Sequence, residues 1–130
     1  MPDIAMAKNI LVADDDPLLG KLFTRVLRDA GHVVTSVAHG EQALALAAQG
    51  GFTVAFLDID MPGRSGWEIA TALRSEPTTA GMLLVAISGR ISPADLERSS
   101  VAGFDVHLMK PVMIADLLAA AEAHRTWIPG

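Results

Sequence analysis

The segment VAFLDIDMPG, residues 54–63, joins an apolar, β-favouring run to two aspartates and a Pro-Gly pair. A nearly continuous apolar run of this length is typical of a strand that is covered on both faces, as in a parallel sheet. Asp58 and Asp60 come at the point where such a strand should end. Because an unpaired buried charge costs several kcal/mol or more, these carboxylates need a compensating partner.

Similar β-favouring runs occur on both sides of this segment, and stretches with helical spacing of apolar residues separate them. The predicted strands are residues 10–13, 33–37, 52–57, 82–87 and 104–109, and the last two helices are predicted at about residues 93–102 and 114–124. Five alternations of strand and helix predict an α/β fold, a single doubly wound parallel sheet of five strands with five helices on its two faces. Periodicity alone leaves the order of the strands open.

The composition fits one soluble domain, which we take as residues 1–130, because the chain is short and 51% hydrophobic. The net charge of −5 and the scattered positions of only ten Lys and Arg argue against direct binding of nucleic acid. The absence of cysteine excludes disulfides, thiolate zinc sites and cysteine nucleophiles. The first residues do not resemble a signal peptide, and no apolar run reaches membrane-spanning length, so we expect a cytoplasmic protein without membrane contact.

Polar residues follow four of the predicted strands. Carboxyl ends of parallel strands meet at one edge of a sheet, where doubly wound folds bind their ligands. Taken singly, each residue has an ordinary explanation, such as a helix cap, a turn residue or an exposed lysine. Taken together, they predict a site that collects acids, a hydroxyl and an ammonium: Asp14, Asp15, Asp16, Asp58, Asp60, Ser88 and Lys110.

Carboxylates that converge in a small cleft repel one another unless a cation neutralises them or one of them takes up a proton. Mg²⁺ is the natural cation, since it prefers oxygen ligands, whereas the few histidines and the absence of cysteine disfavour zinc. A magnesium ion beside a lysine attracts an anion, and the usual one is a phosphoryl group. A carboxylate held there can attack phosphorus and form an acyl phosphate.

Four motifs, ILVADDDP, FLDIDMPGRSG, AISG and the Lys-Pro of HLMKP, resemble in order and spacing the receiver domains of bacterial two-component response regulators. The resemblance covers about residues 8–125, which we take as the core of the domain. It implies a flavodoxin-like, CheY-like fold with strand order 2-1-3-4-5. It also implies phosphorylation by a histidine kinase or a histidine phosphotransfer protein, a downstream protein target, and a monomer or weak homodimer.

The resemblance assigns roles to the acids. Asp58 matches the phosphoacceptor, Asp15 a direct Mg²⁺ ligand, and Asp14 its partner, which acts through water. Asp60 matches the position whose backbone carbonyl reaches the metal. We further expect the Asp60 side chain to pair with Arg90 and to screen the acyl phosphate from water; an ordinary solvated ion pair, worth about 0 to 1 kcal/mol, remains the alternative.

The resemblance also assigns the remaining rim residues. Ser88 matches the hydroxyl that bonds the phosphoryl group, Lys110 matches the lysine that contacts another of its oxygens, and Pro111 would follow a cis peptide bond. The switch position three residues before the lysine, often Tyr or Phe, is His107. This imidazole can rotate and bond Ser88, or it can be a static strand residue with one face in water.

The other histidines, His32, His39 and His124, are expected at the surface, and none has a partner at metal-ligand spacing.

Three functions remain in competition. The first is a phosphorylation-operated switch, which catalyses only its own phosphoryl transfer and dephosphorylation and is not otherwise an enzyme. The second is a phosphatase of the haloacid dehalogenase type, because DIDMP resembles the start of that family's paired-aspartate motif. That motif has Thr or Val where this chain has Pro62, and no residues remain to build the cap that shapes a substrate pocket. The third is a phosphorylation-independent binding module, which a lost acid, hydroxyl or lysine would indicate, and none is lost.

Overall fold

The computed structural model describes residues 7–89 and 92–123. Strands and helices alternate along this part of the chain, as the sequence predicts. The strands are β1 (Asn9–Ala13), β2 (Val33–Val37), β3 (Val54–Asp58), β4 (Leu83–Ser88) and β5 (Val106–Met109). The helices are α1 (Pro17–Asp29), α2 (Gly40–Ala48), α3 (Gly66–Arg74), α4 (Pro93–Ala102) and α5 (Ile114–Glu122).

All five strands are parallel and form one sheet in the order β2-β1-β3-β4-β5. The predicted α/β doubly wound fold and the strand order that the resemblance implies are therefore confirmed. The chain reverses its direction of winding between β1 and β3, and this switch point is where a doubly wound sheet opens a cleft beyond its carboxyl ends.

The sheet is covered on both faces. One apolar layer lies on the side of α2, α3 and α4, and the other lies beneath α1 and α5. Every residue of β3 and of β4 is buried. This burial confirms that the apolar run before Asp58 is a central strand, and it explains why an uncompensated acid could not end that strand cheaply.

Two strands, β3 and β5, begin two residues later than the sequence predicts, and β4 begins one residue later. Phe52 precedes β3, and Phe104 precedes β5. The amide of Phe104 donates to the carbonyl of Ser99 at 3.0 Å, so the chain is still closing the end of α4 at this point. An aromatic side chain favours a strand, but the helix cap takes up the backbone bond that the strand would need.

The helices begin where side chains cap them. Asp16 accepts a hydrogen bond from the amide of Leu18, ahead of Pro17 at the first helical position. Ser65 and Glu68 form a capping box at the start of α3. These caps satisfy amides that have no partner within the helix, and they fix the points at which the chain leaves the functional edge of the sheet.

His32 is buried, so its predicted surface position is wrong. Its side chain is 1% exposed, with Nδ1 accepting a hydrogen bond from the amide of Lys8 at 3.1 Å and Nε2 lying 3.1 Å from Glu122 Oε1. The end of α5 covers this position, a long-range contact that local sequence spacing does not report. His39 is exposed as expected, and His124 lies outside the described residues.

None of the helices in the described ranges is long and apolar enough to span a membrane.

Arg74, at the end of α3, ties several elements together. Its side chain is 13% exposed and donates to the carbonyls of Gly103 at 3.0 Å and of Met82 at 2.5 Å. It also donates to Asp105 Oδ2 at 2.8 Å. Because these acceptors belong to the end of α4 and to the starts of β4 and β5, the guanidinium holds the sheet edge opposite the acidic rim.

Replacing Arg74 with methionine should lower the free energy of unfolding by about 3 kcal/mol, because it removes several charged hydrogen bonds, most of them partly buried, while keeping an apolar stem. Urea denaturation measures this change. Arg25→Met is the matched control, since that side chain is 84% exposed and lies 3.8 Å from Asp29. The control should change stability by less than about 0.5 kcal/mol, and equal losses in the two variants would contradict the assigned role of Arg74.

Candidate functional site

Three aspartates meet at the carboxyl edge of the sheet. Asp14 and Asp15 follow β1, Asp58 ends β3, and one carboxylate oxygen from each lies within 4.8 Å of the others. The two strands are neighbours in parallel register, with Ala13 opposite Leu57. The register therefore forces acids from two separate loops into one small volume.

Asp58 is 1% exposed, and both of its carboxylate oxygens are engaged. Oδ1 accepts a hydrogen bond from the amide of Asp60 at 3.0 Å, and Oδ2 accepts one from Lys110 Nζ at 2.9 Å. The acid at the end of the central strand is thus compensated by an ammonium and a backbone dipole.

Asp14 is only half satisfied. It is 2% exposed, and its Oδ1 accepts a hydrogen bond from the amide of Asp16 at 2.8 Å. Its Oδ2 is buried and has no hydrogen-bond partner in the described part of the chain; Lys110 Nζ lies 3.5 Å away. Burial, with a further contribution from the charge of Asp58, raises the pKa of Asp14 to about 6.

Asp15 is exposed at the mouth of the cluster. Partial desolvation and then the negative charge of Asp58 raise the pKa of its carboxyl. Its exposure makes it the acid of the three that an ion arriving from solvent meets first.

Lys110 lies at the end of β5, where its amide donates to the carbonyl of Ser88 at 2.9 Å. Burial by itself lowers the pKa of the lysine, but the hydrogen bond and charge of Asp58, together with the charge of Asp14, outweigh burial and raise it. The lysine is therefore an ammonium at neutral pH. The peptide bond between Lys110 and Pro111 is cis, as the resemblance implies.

The cluster fits a hard divalent cation. Three carboxylates face one ammonium, so negative charge remains in excess, and a buried oxygen of Asp14 has no hydrogen-bond donor among the described residues. Oxygen-only donor sets of this kind suit Mg²⁺, which uses few protein ligands and keeps several waters. The donors that could bind such an ion are Asp14, Asp15 and Asp58.

The structure also shows where the other predicted site residues lie. Ser88 ends β4 at the same edge and is 1% exposed. Asp60 is exposed and contributes its amide to Asp58, whereas its carboxylate is not part of the acidic cluster. Arg90 lies outside the described residues, so its predicted pair with Asp60 stays a prediction.

His107 lies in the middle of β5 and is half-buried. Both ring nitrogens are buried and have no hydrogen-bond partner among the residues the structure describes. The ring borders a cavity of about 200 Å³ together with Leu96, Ser99 and Ser100 of α4. The sequence also allowed a static His107 with one ring face in water. The two ring nitrogens do not lie on such a water-exposed face.

Sequence reasoning missed the backbone donors of the site. The amides of Asp16 and Asp60 each donate to the aspartate two residues earlier, Asp14 and Asp58. An aspartate that ends a strand and begins a turn commonly accepts a hydrogen bond from the amide two residues on, so the aspartate at each strand end was the available signal.

The family model of the response regulator receiver domain matches residues 10–122. The transcriptional regulatory protein TcrA of Mycobacterium tuberculosis is 32% identical over 114 residues, which are 88% of this chain and 44% of TcrA. HprR of Escherichia coli is 32% identical over 114 residues, 88% of this chain and 50% of HprR. The chain thus spans about half the length of the curated relatives that it matches.

Solved structures agree with this match. The chemotaxis response regulator CheY4 of Vibrio cholerae superposes with a TM-score of 0.85 and 26% identity, covering 90% of this chain and 98% of CheY4. A CheY-like receiver domain from Methanospirillum hungatei gives a TM-score of 0.83 and 29% identity, covering 90% of this chain and 92% of that one. Since the matched residues contain the three clustered aspartates and Lys110, this chain belongs to the response regulator receiver domain family of two-component systems.

Proposed function

We propose that Asp58 accepts a phosphoryl group from the phosphohistidine of a histidine kinase or a phosphotransfer protein, and that this changes how the domain binds a downstream protein. The observation that carries the proposal is the position of Asp58, a buried carboxylate between Lys110 at 2.9 Å and two further aspartates. Such a carboxylate is oriented and electrostatically poised to meet phosphorus.

Mg²⁺ would be held by Asp14, Asp15 and Asp58, with the backbone carbonyl of Asp60 as a further ligand. When bound, the ion supplies positive charge that neutralises the phosphoryl oxygens during transfer. The structural support is the fit of the acidic cluster to a hard cation and the buried Asp14 oxygen that has no hydrogen-bond donor in the described chain.

The residues of the chain carry out the transfer itself. An oxygen of the Asp58 carboxylate attacks phosphorus, the P–N bond of the phosphohistidine breaks, and its electron pair stays on the imidazole nitrogen. The product is an acyl phosphate on Asp58, whose oxygens the Lys110 ammonium and the Ser88 hydroxyl contact. Attack by water later releases inorganic phosphate and restores the carboxylate, so the domain turns over no independent metabolite.

The switch would involve Ser88 and His107. Movement of the Ser88 hydroxyl toward the phosphoryl group changes the packing at the end of β4, next to β5. Both ring nitrogens of His107 are buried and have no hydrogen-bond partner in the described part of the chain, so a rotation that gives either nitrogen a hydrogen bond is favourable. Phosphorylation would then shift an existing equilibrium of the face formed by α4, β5 and α5.

The receiver itself is proposed to contact proteins rather than nucleic acid. Some relatives are DNA-binding response regulators, such as MtrA of Mycolicibacterium smegmatis, of which this chain covers 50%. Within this chain the Lys and Arg residues are scattered and the net charge is −5, which favours a protein partner for the receiver.

Incubation with Mg²⁺ and acetyl phosphate should add one phosphoryl group to the protein, and Asp58→Asn should abolish the adduct because the amide is no nucleophile. Intact-mass spectrometry measures the adduct. Asp29→Asn, the same change at the end of α1, is the matched control and should keep it. No adduct on the unmodified chain with either acetyl phosphate or a phosphorylated kinase, or an adduct that survives in Asp58→Asn, would contradict the proposal.

Mg²⁺ affinity should depend on pH through Asp14. Because the pKa of Asp14 is raised to about 6, Mg²⁺ must displace a proton below that pH, and its apparent affinity should fall by up to about tenfold per pH unit there. The stability of the metal-free protein should depend on pH in the opposite direction. Because folding raises the pKa of the Asp14 carboxyl, the free energy of unfolding should fall as the pH rises through about 6.

Calorimetric titration with Mg²⁺ across this range tests the dependence. Asp14→Asn should bind Mg²⁺ more weakly and should flatten the pH profile, because no proton is left to displace at that position. Affinity that is the same on both sides of about pH 6 in the unmodified chain would count against a metal bound by Asp14.

A further inference from the structure

We infer that the amino end of α2 is a positioning element for the metal site, acting through the loop of residues 59–65 that follows Asp58. This inference rests on the proposed function. The loop joins β3 to α3 and carries Asp60, whose amide donates to Asp58 Oδ1 at 3.0 Å. The loop therefore sets the orientation of the acid that the proposal makes the phosphoacceptor.

The contact between α2 and the loop depends on a glycine. A Cβ on Gly40 would overlap the carbonyl oxygen of Arg64, so only glycine lets the helix approach this closely. The amide of Gly40 points at the carbonyl of Pro62 at 3.4 Å, and Glu41 Oε1 accepts a hydrogen bond from Arg64 Nε at 2.9 Å. Two successive residues of α2 thus hold the tip of the loop.

The other end of the loop is held just as closely. The amide of Gly66 donates to the carbonyl of Ile59 at 3.1 Å, and a Cβ on Gly66 would lie 2.8 Å from the carbonyl oxygen of Asp58. The segment is therefore fixed at its base by α3 and at its tip by α2. Asp60 lies between Ile59 and Pro62, the residues that these two contacts hold, so a displacement of Pro62 should move Asp60 as well.

A displaced Asp60 amide would rotate the carboxylate that it holds. The metal site needs an oxygen of Asp58 close to those of Asp14 and Asp15, which now lie within 4.8 Å of one another. Groups that orient metal ligands without touching the metal typically change its affinity by about 10- to 100-fold when they are altered. Gly40 is a positioning residue of this kind, because its close contacts reported above are with Pro62 and Arg64 of the loop.

Gly40→Ala is the direct test. It should raise the Mg²⁺ dissociation constant about tenfold in a calorimetric titration, because the added methyl group pushes the loop away from its present position. Gly20→Ala is the matched control, a buried helical glycine whose Cβ would meet only the side-chain Oγ of Ser36, at 3.1 Å. Because that hydroxyl can rotate away, the control should change the constant by less than about twofold.

A second measurement needs no variant, so it decides the question even if Gly40→Ala does not fold. Binding free energies are reciprocal, so an ion that gains affinity from the α2 contact must in turn stabilise that contact. Amide hydrogen exchange of Gly40 in the unmodified protein should therefore slow when Mg²⁺ is added. The amide of Gly31 donates a hydrogen bond to the carbonyl of Arg28 at the far end of α1 and is the internal control. Its exchange rate should not change when Mg²⁺ is added.

The outcomes separate this inference from the function on which it rests. Loss of Mg²⁺ affinity in Gly40→Ala but not in Gly20→Ala, with slowed exchange at Gly40, supports it. Two results overturn the inference while the proposed function stands. One is an unchanged Mg²⁺ affinity in a folded Gly40→Ala variant, and the other is an amide exchange rate of Gly40 that does not change when Mg²⁺ is added. An unmodified chain that binds no Mg²⁺ overturns both.

Discussion

The bond between Lys110 and Asp58 is the interaction on which the rest of the site depends. It compensates the acid that ends the central strand, and the same ammonium lies 3.5 Å from Asp14. Lys110 is one positive charge among three carboxylates, and burial, with the charge of Asp58 as a further cause, raises the pKa of Asp14 and of Asp15. The site is thus built with negative charge in excess, which a divalent cation can neutralise.

The fold imposes this crowding. Parallel register places the ends of β1 and β3 side by side, and the hydrogen bond that the amide of Lys110 donates to the carbonyl of Ser88 brings in the lysine after β5. Covering helices bury every residue of β3, so Asp58 cannot reach water without leaving the sheet. Loops supply the remaining control, because backbone amides of Asp16 and Asp60 orient the two buried carboxylates.

The order of elements and the meeting of Asp14, Asp15 and Asp58 could be predicted from sequence, because both follow from local periodicity and from the shared edge of parallel strands. The burial of His32 could not, since it depends on α5 folding back over the start of the sheet. The contact of Gly40 with the loop after Asp58 could not be predicted from sequence either. It depends on backbone geometry between elements far apart in the chain, which side-chain patterns do not encode.

The central proposal is that Asp14, Asp15 and Asp58 share one divalent ion. The most direct measurement is a crystal structure of the chain grown with Mn²⁺, which takes the same oxygen ligands as Mg²⁺ and is located by its anomalous scattering. We expect one anomalous peak in contact with Asp15 and Asp58 and beside Asp14. Lys110 should still form its ion pair with Asp58. Saturating Mn²⁺ with no peak among these residues, while the three carboxylates keep their present positions, would contradict it.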